Sequence, residues 1–302
     1  MKISIVGVGK VGTAVGFALV TKGLCEELVL VGRTRGSALG DAHDLAHASA
    51  FVRPMSVRAG GVKDTNSSDI VILTASVPMR DKSSRSSVAG GNTKLYRKLI
   101  PQIARRSPGA ILIVVANPVD LMTYVTLQAS GFPPSRVMGT GTLIDTARFR
   151  ALLSQQSGIN VFDLRAYILG EHGDSQFPAL SVASAGGMKF HEHDATVLRM
   201  FREARRSGYQ VVRHKGYTNY AIALATTLIV EMIANDLHAV APVSVLVDGY
   251  FGVKDVCLSV PCVIGRDGVT KVLPVELNER EVQAFRKSAQ LLRGVIQKLG
   301  VR

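Results

Sequence analysis

The sequence predicts an α/β fold: a doubly wound parallel sheet followed by a second, α+β domain. Three observations carry that reading. Short β-branched runs alternate with amphipathic stretches through the first half, a glycine triad follows the first run directly, and the pattern changes after Gly141. At 302 residues the chain is longer than one compact core usually needs, so two lobes sharing a cleft are expected, over residues 1–140 and 141–302.

In order, Lys2–Val6 reads as a strand, Val11–Lys22 as a helix, Leu28–Val31 as a strand and the stretch around Ser37–His47 as a helix. Ile70–Thr74 and Ile111–Ala116 are apolar but for Thr74, as strands buried on both faces are. Between them a Ser- and Gly-rich loop is expected over Val77–Gly91, then a helix from about Asn92 to Arg106. The second half should hold a helix over about Asp145–Gln156, an alternating strand Leu164–Leu169, more helix, a strand-rich stretch over Ser244–Leu273 and a long final helix over about Asn278–Leu299.

Composition excludes several classes of function. Apolar residues make up 47% of the chain, yet every hydrophobic run is broken well before the ~20 residues a membrane span needs. Met1 leads straight into Ile3–Val6 with no charged, greasy leader, so a cytoplasmic protein is expected. Cys25, Cys257 and Cys262 are too few and too irregularly spaced for a disulfide framework or a zinc site, and read as buried thiols. The net charge of +13 is dispersed and aromatics are only 6%, which argues against a nucleic-acid partner and for a field that steers anionic metabolites.

The first strand runs into G-V-G-K-V-G, placing Gly7, Gly9, Lys10, Val11 and Gly12 where a strand turns into a helix. In that context the first glycine permits a tight turn, the second lets backbone approach a pyrophosphate, and the third lets helix pack on strand. This is the Rossmann arrangement for a dinucleotide. An NAD site normally presents an acid to the ribose 2′-hydroxyl at the end of the second strand. Here Gly32 is followed by Arg33, Thr34 and Arg35. Guanidinium and hydroxyl donors suit a 2′-phosphate, so NADP is favoured over NAD.

Three more segments stand out: V-A-N-P-V-D (Val115–Asp120), G-T-G-T-L-I-D-T-A-R (Gly139–Arg148) and G-E-H-G-D-S (Gly170–Ser175). With the N-terminal glycines, and with V-D-G-Y-F-G-V-K-D-V-C-L-S-V-P (Val247–Pro261) and I-G-R-D-G-V (Ile264–Val269), they make the chain resemble the lactate/malate dehydrogenase family from end to end. The resemblance implies reversible hydride transfer between a nicotinamide cofactor and a small 2-oxoacid or L-2-hydroxyacid, in a homodimer or homotetramer that needs no metal. The residues agree. Reducing a ketone puts negative charge on oxygen, so a donor titrating near neutrality is wanted, and His172 is suited to it. Asp145 and Arg148, three apart on one helical face, can aim a histidine orienter and a carboxylate clamp into one cleft.

Other roles follow from the resemblance alone. Arg85 falls on the mobile-loop arginine that polarises the carbonyl, and Asn117 on the asparagine at the carbonyl and nicotinamide. Thr74, Ala75, Ser76, Asn92 and Ile222 fall at the cofactor, and Thr218 at the substrate. The position that separates malate from lactate enzymes carries Met79. A second substrate carboxylate would stay unpaired against a thioether, so lactate or a larger apolar 2-hydroxyacid is favoured. Arg80, next to it, keeps a malate reading open. Arg150 and Arg165 match positions that bind a sugar bisphosphate in bacterial relatives, but ordinary surface pairing is the preferred expectation. H-E-H-D (His191–Asp194) reads as a solvated loop. The rival from another class is a catalytically silent nucleotide-binding protein, which would lack the proton donor or the clamp. Both are present.

Overall fold

A computed structural model describes residues 1–78, 85–190 and 194–301, apart from the side chains of residues 35 and 85–87. Five of the first six strands connect through parallel neighbours on one side or the other of β1 (Lys2–Val6). β2 (Glu27–Val31) and β3 (Ser56–Gly60) extend the sheet one way, and β4 (Ile70–Leu73), β5 (Ile111–Val114) and β6 (Val137–Gly139) the other. Right-handed crossovers running in opposite directions place their helices on opposite faces. Accordingly α1 (Lys10–Lys22) packs with α2 (Leu39–Ala48), while α3 (Arg85–Arg106) packs with α4 (Val119–Ser130). The crevice opens where the strand order reverses, between the ends of β1 and β4, which is where such sheets bind ligands.

The second half does not stand apart from this sheet. β12 (Ala239–Tyr250), β13 (Val253–Gly265) and β14 (Gly268–Val272) add three antiparallel strands, joined to β6 by the pairing of Ser244 with Gly139. One apolar core therefore runs through both halves, from Ile3 and Leu73 to Val260 and Phe285. A smaller core gathers Phe149, Leu164 and Met200 between α5 (Leu143–Ser157), β7 (Leu164–Arg165) and α6 (Ala195–Lys215). α7 (Tyr220–Ala234) lies against α1, and α8 (Glu279–Lys298), capped by Asn278, closes on β13. Among the described residues no helix is long and apolar enough to cross a membrane.

Four sequence expectations need correcting. Helix α3 begins at Arg85, inside the expected Val77–Gly91 loop. Gly91 serves packing rather than a turn, since a Cβ there would stand 2.8 Å from a Val77 methyl. The strand expected over Leu164–Leu169 is two strands, β7 and β8 (Ile168–Leu169). They pair in different sheets because the carbonyl of Ala166 accepts from Arg150 Nε, and that of Tyr167 from the Ala179 amide. β3 was not foreseen. Its Arg58 is tied to Glu27 and Asp64, so this edge strand lacks an apolar run. β6, only three residues long, was missed for its shortness. The three cysteines are buried thiols, as expected, and burial pushes Cys25 up to about 11 and Cys262 up to about 12.

Candidate active site

The glycine triad divides into three different duties. Gly7 has φ +110°, and a Cβ there would lie 2.3 Å from the Ala75 amide nitrogen. A Cβ on Gly12 would lie 2.1 Å from the Gly7 carbonyl oxygen. Both glycines let backbone segments of this chain approach one another. Gly9 faces open space, with nothing within 4 Å of where its Cβ would be, and it caps α1 with no side chain on the helix-end amides. The open side of the turn and the free helix N-terminus together fit an anionic pyrophosphate. Lys10 is drawn aside, its Nζ 3.8 Å from the centre of the Tyr217 ring, and Val11 packs against the core.

The loop after β4 forms the opposite wall. Thr74 Oγ1 donates to the Gly7 carbonyl at 2.5 Å and the Ala75 amide to the Val6 carbonyl at 2.8 Å, so these residues hold the glycine turn. Asn92 is fully buried. Its Oδ1 accepts the Val77 amide and its Nδ2 donates to the Asn117 carbonyl, so its amide is spent on bracing two loops rather than presented to the cleft. Ser76 is exposed beside it.

At the end of β2, a Cβ on Gly32 would stand 2.3 Å from Ser37 Oγ. Ser37 and Thr34 form a reciprocal capping box that opens the turn into α2. The place where an acidic side chain would begin is thus filled by the Ser37 hydroxyl. Thr34 and Arg33 are exposed around it, and the Arg35 side chain lies outside the described residues.

The chemistry-bearing groups converge in one cavity of about 210 Å³ between α4, α5, α6 and the loop after β8. Asp145, in the first turn of α5, is 2% exposed. Its Oδ2 lies 2.6 Å from His172 Nδ1 and its Oδ1 accepts from Arg148 Nη1 at 3.3 Å. Burial pushes the His172 imidazole down and Arg148 adds to that, but the charge and hydrogen bond of Asp145, aided by Asp120, outweigh them and raise it above 6.5. Nε2 is left to face a reactant. Arg148, Asn117, Thr218 and Ile222 line the same cavity. A histidine that can give or take a proton, beside a guanidinium that can grip a carboxylate, is a site for acid–base work on a small carboxylic acid.

Arg85 is the first residue of α3, and its side chain lies outside the described residues, as do Met79, Arg80 and His191–His193. Asp194 is the N-cap of α6, accepting from the Thr196 and Val197 amides. Among the described residues Arg150 and Arg165 have main-chain rather than carboxylate partners: Arg150 donates to the Ala166 carbonyl and lies over the Tyr167 ring, and Arg165 donates to the Phe162 carbonyl.

The sequence reading missed one wall entirely. Arg205, Gly208, Tyr209 and Val212 of α6 line the cavity, and their spacing of three, four and seven is one helical face. That spacing was the available signal, hidden because this face mixes polar and apolar residues.

Residues 1–139 match the lactate/malate dehydrogenase, NAD binding domain, and residues 142–300 match the lactate/malate dehydrogenase, alpha/beta C-terminal domain. The chain is 40% identical over 301 residues to L-lactate dehydrogenase 1 of Clostridium acetobutylicum, covering 97% of this chain and 96% of that protein. It is 38% identical over 309 residues to the L-lactate dehydrogenase of Acetivibrio thermocellus, covering 99% and 98%. Among solved structures, a lactate dehydrogenase from a Medee basin deep-sea metagenome library superposes with a TM-score of 0.94 at 35% identity over 99% of this chain and 98% of that one. The minor L-lactate dehydrogenase of Enterococcus mundtii, in a ligand-bound form, does so with 0.94 at 33% identity over 100% and 98%.

Proposed function

The chain belongs to the lactate/malate dehydrogenase family, and on that premise we propose that it is an L-2-hydroxyacid dehydrogenase, interconverting pyruvate or a larger apolar 2-oxoacid with its 2-hydroxyacid. The observation that carries this is the His172–Asp145–Arg148 cluster: one buried carboxylate contacts both the proton donor and the clamp inside a single small cavity. Residues 1–140 serve as the dinucleotide half and 141–302 as the substrate half.

Bound nicotinamide supplies or accepts a hydride at the substrate C2. Arg148 holds the substrate carboxylate with two parallel hydrogen bonds, which fixes C2 and its oxygen relative to His172. His172 gives its proton to the developing alkoxide in reduction and takes it back in oxidation. Asp145 Oδ2 accepts the hydrogen bond from Nδ1–H and so holds that proton in place, which leaves the proton on Nε2 as the exchangeable one. Arg85 polarises the carbonyl and Asn117 contributes a hydrogen bond, as in the family.

The matched domain supports NAD as the coenzyme. Gly32, Arg33 and Thr34 support a second reading, NADP, because the Ser37 hydroxyl stands where a repelling carboxylate would begin. For the substrate, the names of the relatives and the apolar liners Ile144, Val212 and Ile222 favour lactate over malate. The homo-oligomer expected from the family is supported by exposed Phe17, Tyr220 and Leu224, which flank an apolar groove between α1 and α7.

A panel of pyruvate, oxaloacetate, 2-oxoisocaproate and phenylpyruvate, each with NADH and NADPH, tests the reaction, its substrate and its coenzyme. The expected result is turnover highest with an uncharged side chain and absent in His172→Gln. Oxaloacetate as the best substrate by kcat/KM would replace lactate with malate, and no turnover with any pair would remove the dehydrogenase reading.

A further inference from the structure

Asp120 is the second residue of α4, and its carboxylate is buried, with 2% of the residue exposed. Oδ2 accepts the backbone N–H of His172 at 2.7 Å, from a residue 52 positions away. Oδ1 is equally buried, and among the described residues its polar neighbour is Oγ of Ser244 on β12, with which it closes no hydrogen bond of normal geometry. A buried carboxylate with one oxygen so weakly paired is costly. If its only duty were to hold an amide, asparagine would do it through a neutral carbonyl at lower cost. What only aspartate adds is charge, and the His172 imidazole is a titratable group that interacts favourably with it.

Other contacts hold the rest of the 170–175 loop, among them Arg205 Nη1 of α6 on the Asp174 carbonyl and Ser175 Oγ on the Glu171 carboxylate. Gly170 exchanges both backbone hydrogen bonds with Ser259, and Ser288 of α8 donates to Ser175. Asp120 is the carboxylate that reaches the backbone of His172 itself, the residue that carries the chemistry.

We propose that Asp120 is a second carboxylate for His172: a positioning residue that fixes its backbone and whose negative charge, with that of Asp145, favours the imidazolium. The proposal rests on His172 as the proton donor. The charged and titratable groups around the pair come from four elements. Asp145 and Arg148 of α5 face the imidazole, with Arg148 opposing the two carboxylates. Glu171 in the loop and Cys257 on β13 face Asp120, whose other neighbour is the Ser244 hydroxyl on β12. Burial pushes the Asp120 carboxyl up to about 6, against the lowering by Ser244 and His172. Its charge therefore develops as pH rises through that value, just below the range where His172 titrates. A proton on Oδ1 leaves Oδ2 free to keep the His172 amide, so the charge can vary while the loop stays anchored.

Asp120→Asn keeps the acceptor and removes the charge. In pyruvate reduction its kcat/KM should lose the alkaline limb at a pH lower by about 0.5 unit or more. kcat should fall several-fold and KM for pyruvate should stay within about two-fold, because Arg148 is untouched. The Tm at pH 7.5 should hold or rise, since a buried charge has gone. The His172 imidazole, identified in the NMR spectrum by its loss in His172→Gln, should titrate lower by the same amount in the absence of substrate. An unmoved limb and unmoved imidazole titration overturn the proposal, as does a variant that is destabilised or fails to fold, which would make Asp120 a purely structural group. Should His172→Gln retain full reduction, the proton-donor reading fails, while the imidazole titration still decides whether Asp120 charges His172.

Discussion

Asp145 Oδ2 lies 2.6 Å from His172 Nδ1, a contact between the first turn of α5 and a loop 27 residues further on. It orients the imidazole and supplies most of the push that keeps it protonated against burial.

Asp145→Asn should therefore lower kcat for 2-oxoacid reduction by about 100-fold or more, as loss of an oriented, charged acid does. In the native enzyme the raised His172 should make kcat/KM for reduction level at low pH and falling once pH passes above its pKa, which lies above 6.5; oxidation, needing the neutral ring, should rise over the same range. The same shift bears on stability: a histidine raised on folding stabilises below its unfolded pKa, and that contribution is lost as pH rises through the folded value. In Asp145→Asn both profiles should move to lower pH. Stopped-flow and steady-state pH series in the two directions measure this, and profiles that coincide with the native ones would separate Asp145 from the proton.

Gly208 of α6 faces the Arg148 guanidinium. A Cβ there would stand 3.3 Å from Arg148 Nη1, closer than the guanidinium tolerates without moving. Gly208→Ala should reduce kcat/KM about ten-fold, about 1.4 kcal/mol, with most of the loss in KM for the 2-oxoacid. Thermal unfolding should change little, because an alanine suits a helix better than glycine. A variant with native KM would show that Arg148 has room to adjust.

The glycines of the triad should fail in different ways. Gly12→Ala drives a methyl into the Gly7 carbonyl and should cost about 1–3 kcal/mol of stability. Gly9→Ala meets nothing of the protein and should leave Tm near native while weakening coenzyme binding about ten-fold or more, since the added methyl occupies the pyrophosphate approach. Calorimetry paired with coenzyme titration separates the two. A Gly9→Ala protein with native coenzyme affinity would place the pyrophosphate elsewhere.

Much of the molecule was legible without coordinates because it depends on short-range rules. Period-two and period-3.6 patterns located β1, α1, β4, β5 and α8, and the strand-to-helix setting of Gly7, Gly9 and Gly12 located the crevice. Asp145 and Arg148 were readable as partners because one turn of helix brings residues three apart together. Patterns failed where neighbours distant in sequence decide the outcome. The alternation of 164–169 cannot show that Arg150 takes the Ala166 carbonyl, nor can two glycines in a serine-rich stretch show that Gly91 packs on Val77.

The sequence by itself determined which chemical groups are present and which of them share a helix turn: the glycine turn, the carboxylate with its arginine, and the histidine in its loop. Tertiary structure alone decided that His172 meets Asp145 on one side and Asp120 on the other, that a face of α6 forms one wall of the cavity, and that Ser37 fills the space beside Gly32. The reason is physical. Side-chain chemistry and helical or strand periodicity are properties of a few consecutive residues, whereas a 2.6 Å contact across 27 residues, or one of 2.7 Å across 52, exists only once the common core has packed and set the distances between elements.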